Sequence, residues 1–334
     1  MQDLSLTDGA DEPIIQSPRL SIFIVAYHSA ELIAECIQAI GPASTKQSFE
    51  ILLVDNGDGS TEAVVSENFP EVKIIQSRGN IGFAAGNNWL AQHALADLYL
   101  LLNPDMVLAP GAIDALVTAS EEHADAAAWG GVSLDKSGIP DTGNALIIPS
   151  LTDLLSTAIG RSNNANPPSA DLQRDSMVDV LMGGFVMFRK SAWDEVGGLD
   201  ERFFLYCEEV DLFYRLAQRG HSFWRVAGAR GVHDAGHGEA FSPRRNLYRV
   251  AGIVEFARRH WRSAAVVCAV ALIWIAAAGR FVVGAVFGRW RTRLKLLGKA
   301  NARIAAQPRL WAYGYDPQRG LLAQLGKTEN RDSL

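Results

Sequence analysis

The chain is poor in cysteine, and the three cysteines that it has stand far apart. Cys36, Cys207 and Cys268 form no CxxC pair and no Cys/His spacing of the kind that holds zinc. Neither a disulfide framework nor a structural zinc site is expected, and a reducing compartment fits best. No apolar run precedes Leu20 and the N-terminal segment is acidic, so no signal peptide is predicted.

Acidic residues are absent from one long segment of the sequence. No Asp or Glu occurs between Phe256 and Tyr315, where the chain carries eleven Lys and Arg residues. The rest of the chain holds the remaining twenty basic residues against all 37 acidic ones. An acidic body with a basic, apolar segment indicates an anionic surface as the partner of that segment. Nucleic acid is not expected, because the segment is rich in Val, Ile, Ala and Trp instead of polar residues that read bases.

The overall composition is that of a globular protein. Of 334 residues, 48% are hydrophobic and 20% are charged, which permits a sizeable core and excludes global disorder. The length suits one large α/β domain with an appendage, or two small domains.

The first half of the chain alternates between apolar runs of strand length and helical patterns. The apolar runs lie at 20–26, 50–54, 72–75 and 98–102, and helical spacing occurs at 30–40, 82–96 and 110–122. This alternation predicts βαβ units and a mostly parallel sheet. Ligands bind such sheets beyond the carboxyl ends of the strands, which is where Asp55 and the cluster 103–105 fall.

The second half is less regular. The pattern predicts a hairpin at 134–149, a mobile loop at 161–175, an apolar run with a glycine break at 178–189, and helices at 191–196 and 208–218. Acidic residues in the first turn of the last helix, and Gly220 just past its end, are typical helix boundaries.

Three polar or small-residue clusters lie at the expected ligand edge. Asp55-Asn56-Gly57 is either a turn that satisfies backbone donors or a nucleobase contact through Asp55. Asn103-Pro104-Asp105 offers a carboxylate that can hold a divalent cation against a diphosphate, with a turn or helix-cap Asp as the alternative. The small residues of Asn80–Asn88 permit either anion binding at a helix start or close helix packing.

Three carboxylates occur within four residues, at Glu208, Glu209 and Asp211. A helix N-terminus favours ionised acids, whereas mutual repulsion disfavours having all of them ionised. That opposition can set a general base, although acids are also common in first helical turns. A Gly-rich loop carries His233 and His237, of which His233 is the candidate metal or phosphate contact.

Taken in order, these segments resemble the family 2 glycosyltransferases of the GT-A fold, and among them the bacterial rhamnosyltransferase-like branch. The likeness covers about residues 20–260 and rests on FIVAYHSAELIAECIQAI, ILLVDNGDGST, NIGFAAGNN, LLLNPDMVLAPGAIDAL, GGFVMFRKSAWDEVGGLDERFFLYCEEVDLFYRL and VHDAGHG. The resemblance implies an α/β GT-A fold with a mostly parallel central sheet and flanking helices. It also implies a nucleotide-sugar donor, Mg²⁺ or Mn²⁺, and inversion at the anomeric carbon.

The resemblance also implies roles for individual residues. The metal ligands would be Asp105 and His233, and Glu209 would be the base in a catalytic set with Glu208 and Asp211. The donor-binding residues would be Ala26, Tyr27, Asp55, Asn56, Asn80, Gly82, Asn88, Asn103 and Asp105, and the acceptor-binding residues Gly183, Gly184 and Tyr206. The sequence departs from the family at Asn103, which leaves one carboxylate in the metal motif, and at Glu209, where Asp is usual.

The expected organisation is a flexible lead (1–18), a glycosyltransferase domain (19–260), a membrane-associating helical region (261–305) and a C-terminal tail (306–334). Within the domain, residues 19–133 form the nucleotide-sugar half and 134–260 the acceptor half. In the helical region Arg280 interrupts an apolar stretch of about spanning length. We therefore favour a helix or hairpin lying in the membrane interface, with a packed helix or oligomer interface and a single span as alternatives.

The best candidate activity is transfer of L-rhamnose from dTDP-rhamnose to a polyprenyl-diphosphate saccharide or a cell-surface polysaccharide, at the cytoplasmic face of a bacterial inner membrane. A UDP-sugar donor, a non-catalytic nucleotide-sugar-binding scaffold and a homodimer are left open. A nucleotidyltransferase is disfavoured, because Tyr27-His28-Ser29 is not a Gly-rich, basic phosphate loop.

Overall fold

The computed structural model describes residues 17–140, 144, 146–161, 172–233 and 242–325. The strands are β1 (Leu20–Ala26), β2 (Phe49–Asp55), β3 (Lys73–Ile74), β4 (Leu98–Leu102), β5 (Met106–Leu108), β6 (Ala126–Leu134), β7 (Ser176–Met177), β8 (Phe185–Arg189) and β9 (Ser222–His233). The helices are α1 (Ile33–Ala43), α2 (Ser60–Asn68), α3 (Phe83–Ala91), α4 (Ala112–Glu122), α5 (Leu151–Ala158), α6 (Lys190–Val196), α7 (Glu208–Ala217), α8 (Pro243–His260), α9 (Ser263–Phe287), α10 (Thr292–Ala306) and α11 (Leu321–Leu325). Residues 1–16 of the expected lead, 162–171 of the expected loop and His237 lie outside the described residues.

One nine-stranded sheet has the order β3-β2-β1-β4-β8-β6-β9-β5, and β7 pairs with β9. The strands β3, β2, β1 and β4 run parallel to one another, as the alternating pattern predicts. Beyond β4 the sheet is mixed, because β8 runs antiparallel to both β4 and β6. The expected parallel sheet therefore accounts for the first half of the fold, and antiparallel pairing extends it.

The sheet separates two apolar cores, which explains the continuous apolar runs in its strands. In β1, Phe23 and Val25 pack into one core while Ile22 and Ile24 pack into the other. Since successive side chains of a strand point to opposite faces, a strand covered on both sides must be apolar throughout.

The predicted hairpin at 134–149 is only partly correct. The Asp135 carboxylate accepts backbone hydrogen bonds from Ser137 and Ile139, which makes the expected turn, but pairing stops at a bridge between Leu134 and Pro140. Residues 146–150 form no strand, and α5 follows instead. Ser150 caps α5 by accepting a hydrogen bond from the backbone N–H of Asp153, a helix-start pattern that the sequence contains.

The C-terminal region contains a helical hairpin of α9 and α10. The 25-residue α9 is long and apolar enough to cross a membrane, and only 22% of its most apolar window is buried. A Cβ atom added at Gly284 of α9 would lie 2.5 Å from Cα of Gly298 on α10. The two backbones therefore approach closely, which requires glycine at this crossing.

The segment after α10 folds back onto the rest of the molecule instead of forming a loose tail. Trp311 is fully buried and its indole N–H donates to the carbonyl of Ile304. Tyr315 is also buried, and its backbone N–H donates to the Glu255 carboxylate on α8. The described part of the expected tail thus belongs to the main core.

We expect Gly284→Ala to destabilise the hairpin by about 1–3 kcal/mol, because the added methyl group meets backbone that cannot move aside. Gly279→Ala, on the same helix with nothing within 4 Å of its added Cβ, is the matched control. It should stabilise by up to about 1 kcal/mol, since alanine favours helix. Thermal unfolding of both variants measures the difference, and equal effects would contradict the described crossing.

Candidate active site

The carboxyl ends of three parallel strands bring together residues from three separate motifs. β1 ends at Ala26, which lies opposite Asp55 at the end of β2, and Tyr27 follows directly. Asn103 follows β4, which pairs with the other side of β1. The residues predicted to bind the donor from these motifs thus lie along one edge of the sheet.

Asp55 is buried and organises the turn at this edge. One carboxylate oxygen accepts from the backbone N–H of Gly57, and the other accepts from the N–H groups of Thr61 and Glu62 in the first turn of α2. These three bonds agree with the interpretation of Asp55-Asn56-Gly57 as a turn that satisfies backbone donors. A base contact by Asp55 stays a prediction, and it would have to use the remaining acceptor capacity of the carboxylate.

Asn56 connects this turn to the loop before α3. Its backbone N–H donates to Ala26, and its side-chain amide donates to the carbonyl of Gly82 at 2.9 Å. The N–H of Gly82 in turn donates to the side chain of Asn80. The side-chain oxygen of Asn56 is buried without a hydrogen-bond partner, an acceptor of the kind that a bound ligand can satisfy.

The two predicted metal ligands are brought together by strand pairing. β5 pairs with β9 so that Met106 lies opposite His233. The Nε2 atom of His233 consequently lies 3.3 Å from a carboxylate oxygen of Asp105, and both side chains are mostly buried. The sequence predicted this pair without predicting β5 or β9.

Gly183 and Gly184 lie between the metal motif and the acidic motif. The backbone N–H of Asn103 donates to the carbonyl of Gly184, and a Cβ atom at Gly184 would collide with the Asn103 side chain. A Cβ atom at Gly183 would lie 3.5 Å from Cβ of Glu209. Asn103 and Glu209 therefore lie beside two successive glycines, Gly184 and Gly183.

The acidic motif follows a turn with unusual backbone geometry. Tyr206 and Cys207 have positive φ angles of 66° and 69°, a conformation that costs energy in non-glycine residues. The surrounding structure fixes the turn. The backbone N–H of Phe83 donates to the carbonyl of Phe204, and the hydroxyl of Tyr315 donates to the carbonyl of Leu205. Strained backbone held in this way is common at active sites.

Glu208 and Glu209 form an interacting pair of carboxyl groups. Burial and the neighbouring Glu209 hold the pKa of Glu208 well above its usual range, and a side-chain hydrogen bond between the two adds to this rise. Burial also raises the pKa of Glu209, but backbone hydrogen bonds, Arg249 and the bond from Glu208 oppose that rise. Both carboxyl groups therefore resist ionisation, and the interactions that oppose this resistance act mainly on Glu209, which we expect to ionise first.

Asp211 is engaged in ion pairs with neighbouring elements, and the catalytic role expected for it stays a prediction. This fully buried carboxylate is paired at 2.7 Å with both Arg215 and His260, on the side of α7 that faces the end of α8. Arg215 also donates to the carbonyls of Val196 and Gly198. Asp211 thus anchors α7 to its neighbours, because the helix turns it away from Glu209.

The side chain of Asn88 is hydrogen-bonded to the loop after α6, and the donor contact expected for it stays a prediction. Its amide donates to the carbonyl of Leu199 and to Glu201, and its side-chain oxygen accepts from the N–H of Leu199. The hydrogen bonds of this side chain are used to hold the loop after α6. These hydrogen bonds agree with close packing, the alternative that the sequence left open for this loop.

Two residues near the acidic motif were not predicted. Tyr315 hydrogen-bonds the carbonyls of Leu205 and Tyr248, and no local pattern connects it with a turn so far away in sequence. Arg249 lies with its guanidinium carbon 5.2 Å from the centre of the Tyr206 ring. The sequence does contain a cluster of arginines around Arg249, at the start of α8, which could have indicated it.

The decisive comparison is with family models: Glycosyl transferase family 2 matches residues 21–197, which is more than half of the chain. The chain belongs to glycosyltransferase family 2. The matched region contains the three strand ends, Asp105 and the two glycines, so the family assignment and the site geometry concern the same part of the molecule.

Relatives of this glycosyltransferase include two rhamnosyltransferases. An N-acetylglucosaminyl-diphospho-decaprenol L-rhamnosyltransferase of Mycobacterium tuberculosis is 30% identical over 245 residues, covering 66% of this chain and 79% of the relative. The rhamnosyltransferase WbbL of Escherichia coli is 24% identical over 223 residues, covering 65% and 83%. The enzyme is therefore rhamnosyltransferase-like.

Solved structures confirm the GT-A fold. The mannosyltransferase PcManGT of Pyrobaculum calidifontis, in complex with GDP-Man and Mn²⁺, superposes with a TM-score of 0.54 at 14% identity. The match covers 88% of this chain and 89% of the mannosyltransferase. At this identity the likeness concerns the fold alone.

We expect the glycosyltransferase variant Glu208→Gln to gain stability over the native chain as pH rises. A raised pKa in the folded state means that the protonated carboxyl stabilises the fold at low pH, and that this contribution is lost as pH rises through the raised pKa. Glutamine stays neutral. Since about 1 kcal/mol moves Tm by roughly 2–4 °C in a domain of this size, the Tm difference should grow by several degrees between about pH 5 and about pH 9.

The control for this measurement is Glu67→Gln, at an exposed position of α2. Its Tm difference from the native chain should not change with pH over the same range. A pH-independent difference for Glu208→Gln would contradict the described protonation of the pair.

Proposed function

We propose that this enzyme transfers a sugar from a nucleotide donor to a saccharide acceptor with inversion at the anomeric carbon. The supporting observation is that Glu209 lies beside Gly183 and that Asn103, two residues before Asp105, lies beside the adjacent Gly184. The names of the two relatives favour L-rhamnose as the sugar and dTDP-rhamnose as the donor. A UDP-sugar is the alternative donor.

The acceptor that we propose is a lipid-linked or cell-surface saccharide. The mycobacterial relative is named for a decaprenol diphosphate carrying N-acetylglucosamine, and the apolar, basic hairpin of this chain suits an acceptor held at a membrane. The same hairpin supports a peripheral location on the cytoplasmic face of a bacterial inner membrane.

Asp105 and His233 fit a divalent cation that is shared with the donor. Among the described residues, no group of three His, Cys, Asp or Glu side chains converges on a common point. The protein therefore supplies one carboxylate and one imidazole, and phosphate and water oxygens would complete the shell of Mg²⁺ or Mn²⁺. When bound, the ion would neutralise charge on the departing diphosphate.

Glu209 is the proposed general base. It would accept the proton of an acceptor hydroxyl while that oxygen forms a bond to the anomeric carbon and the bond to the diphosphate breaks on the opposite face. Glu208 assists by keeping its own proton, which leaves Glu209 free to accept one. A positioned base contributes about 10²–10⁴-fold to such a rate.

A non-catalytic nucleotide-sugar-binding scaffold is less consistent with the site. Keeping two carboxyl groups buried side by side on a strained turn costs folding free energy. Donor binding alone would not require that arrangement, whereas proton transfer does.

We expect Glu209→Gln and Asp105→Ala to separate chemistry from donor binding. Glu209→Gln removes the proton acceptor, so transfer should fall by at least about 100-fold while Mn²⁺-dependent donor affinity is retained. Asp105→Ala removes a metal ligand, so the donor affinity gained on adding Mn²⁺ should be lost. Calorimetric titration with dTDP-rhamnose and UDP-glucose, with and without Mn²⁺, and transfer assays measure both effects.

Each variant is the control for the other, because both lie in the same site. Near-normal turnover of Glu209→Gln would remove Glu209 from the role of base. A donor affinity of Asp105→Ala that still responds to Mn²⁺ as in the native enzyme would remove Asp105 from the metal site.

The surface of the α9–α10 hairpin suits the interface of an anionic membrane. Large apolar side chains are exposed at Val267, Trp274, Ile275, Phe281, Val282, Val283, Val286, Phe287, Trp290 and Leu296. Exposed apolar side chains of this number on one element are typical of membrane or protein contacts. The nearby cations, among them Arg289, Arg291 and Lys295, favour the membrane by attraction to anionic headgroups.

We expect the enzyme to float with vesicles that contain anionic lipid at low salt, and less so with neutral vesicles. The double variant Val282→Asp/Phe287→Asp should float several-fold less, because it puts charge on exposed apolar positions without disturbing the core. Leu95→Asp, at a position that is also exposed but lies outside the hairpin, is the control. A native chain that ignores anionic vesicles, and instead forms a dimer that the double variant lacks, would assign the surface to a homodimer interface.

A further inference from the structure

The start of α8 carries more positive charge than a helix N-terminus favours. Arg244, Arg245 and Arg249 lie in its first two turns, and within the helix no acidic residue precedes Glu255. The N-terminus of a helix already bears partial positive charge, so cations there oppose the helix itself. This distribution is therefore not explained by helix stability, and it creates a concentrated positive surface.

This positive surface faces the turn that carries the catalytic base. Arg245, Arg249 and Gly252 are four and three residues apart and so share one stripe of the helix. At Gly252 the stripe touches the turn, since a Cβ atom there would lie 2.5 Å from the carbonyl oxygen of Tyr206. One turn of helix earlier, the guanidinium of Arg249 lies over the Tyr206 ring.

Electrostatic effects on the neighbouring groups agree with this placement. Burial raises the pKa of Tyr206, and Arg249 and Arg245 oppose the rise. Burial also raises the pKa of Glu209, which Arg249 again opposes. Both guanidinium groups thus act on the base side of the site, where Arg249 is exposed to solvent.

We propose that Arg245 and Arg249, beside Tyr206, bind the diphosphate of a lipid-diphosphate-linked acceptor. This inference rests on the proposed function and adds the subsite that would recognise the acceptor. Guanidinium groups suit the role because their planar donors bind phosphate oxygens in pairs and stay charged at any working pH.

The position of the stripe favours the acceptor diphosphate over that of the donor. The donor diphosphate is assigned to Asp105 and His233, which β5 and β9 position. The arginine stripe lies on the Glu209 side, on the helix that leads to the apolar hairpin. α8 ends eleven residues after Arg249, about 17 Å along its axis, and α9 begins at Ser263, so one element connects this diphosphate site to the membrane surface.

The test is a binding experiment that needs no turnover. Farnesyl diphosphate, farnesol and inorganic diphosphate are titrated into the full-length chain, and dTDP with Mn²⁺ is titrated separately. The native chain should bind farnesyl diphosphate more tightly than either of the other two probes. Arg245→Gln/Arg249→Gln should weaken that binding at least tenfold and leave the affinity for dTDP and Mn²⁺ within twofold.

Two further variants make the result specific. Arg249→Lys keeps the charge but loses the planar donor pair, so it should show an intermediate loss. Arg219→Gln, at an exposed position beyond the far end of α7, should bind all probes as the native chain does. Melting temperatures of the variants establish that each is folded.

Three results would overturn the inference: no binding of farnesyl diphosphate to the native chain, no loss in the folded double variant, or an equal loss of affinity for dTDP. The last result would assign the arginines to the donor. Because none of these measurements depends on sugar transfer, failure of the proposed activity would leave the binding result interpretable. A native chain that binds farnesyl diphosphate through the arginines but transfers no sugar would refute the activity alone.

Discussion

The site depends on holding two adjacent carboxyl groups in a largely buried position at the start of α7. Burial disfavours charge on both, and their hydrogen bond lets one remain neutral while the other ionises. This arrangement requires a fixed backbone, which the positive φ angles of Tyr206 and Cys207 would not provide alone. Contacts from the loop before α3, from α8 and from the segment after α10 supply the constraint.

The elements that the sequence predicted best are those whose environment is uniform. The bounds of β1 and β4 were predicted correctly, because each is buried on both faces and so is apolar throughout. The hairpin predicted at 134–149 forms only its turn and one bridge, and α5, which begins at Leu151, was not predicted. The mixed half of the sheet could not be inferred, since the pairing of β5 with β9 joins segments that are distant in sequence.

In the candidate site, too, local sequence predicted some features, and contacts between distant segments determined the others. Asp105, His233, Gly183 and Glu209 were selected from local motifs, and the fold places Asp105 beside His233 and Gly183 beside Glu209. Asp211 and Asn88 carry the right chemical groups, but partners from other elements occupy them. Local pattern indicates which side chains can do chemistry, whereas tertiary contacts determine which remain available for it. Arg249 is the opposite case: no local motif selects it, and only the fold shows that it lies over the Tyr206 ring.

The chain passes through the α9–α10 hairpin before Tyr315 returns to hydrogen-bond the carbonyl of Leu205. The hydrogen bond from Tyr315 that supports the turn before α7 is thus contributed by one of the last segments of the described chain. A shortened protein that ended after α8 to improve solubility would discard this hydrogen bond together with the hairpin. Nascent chains face the same constraint during synthesis: the turn acquires its full support only after the apolar hairpin has left the ribosome.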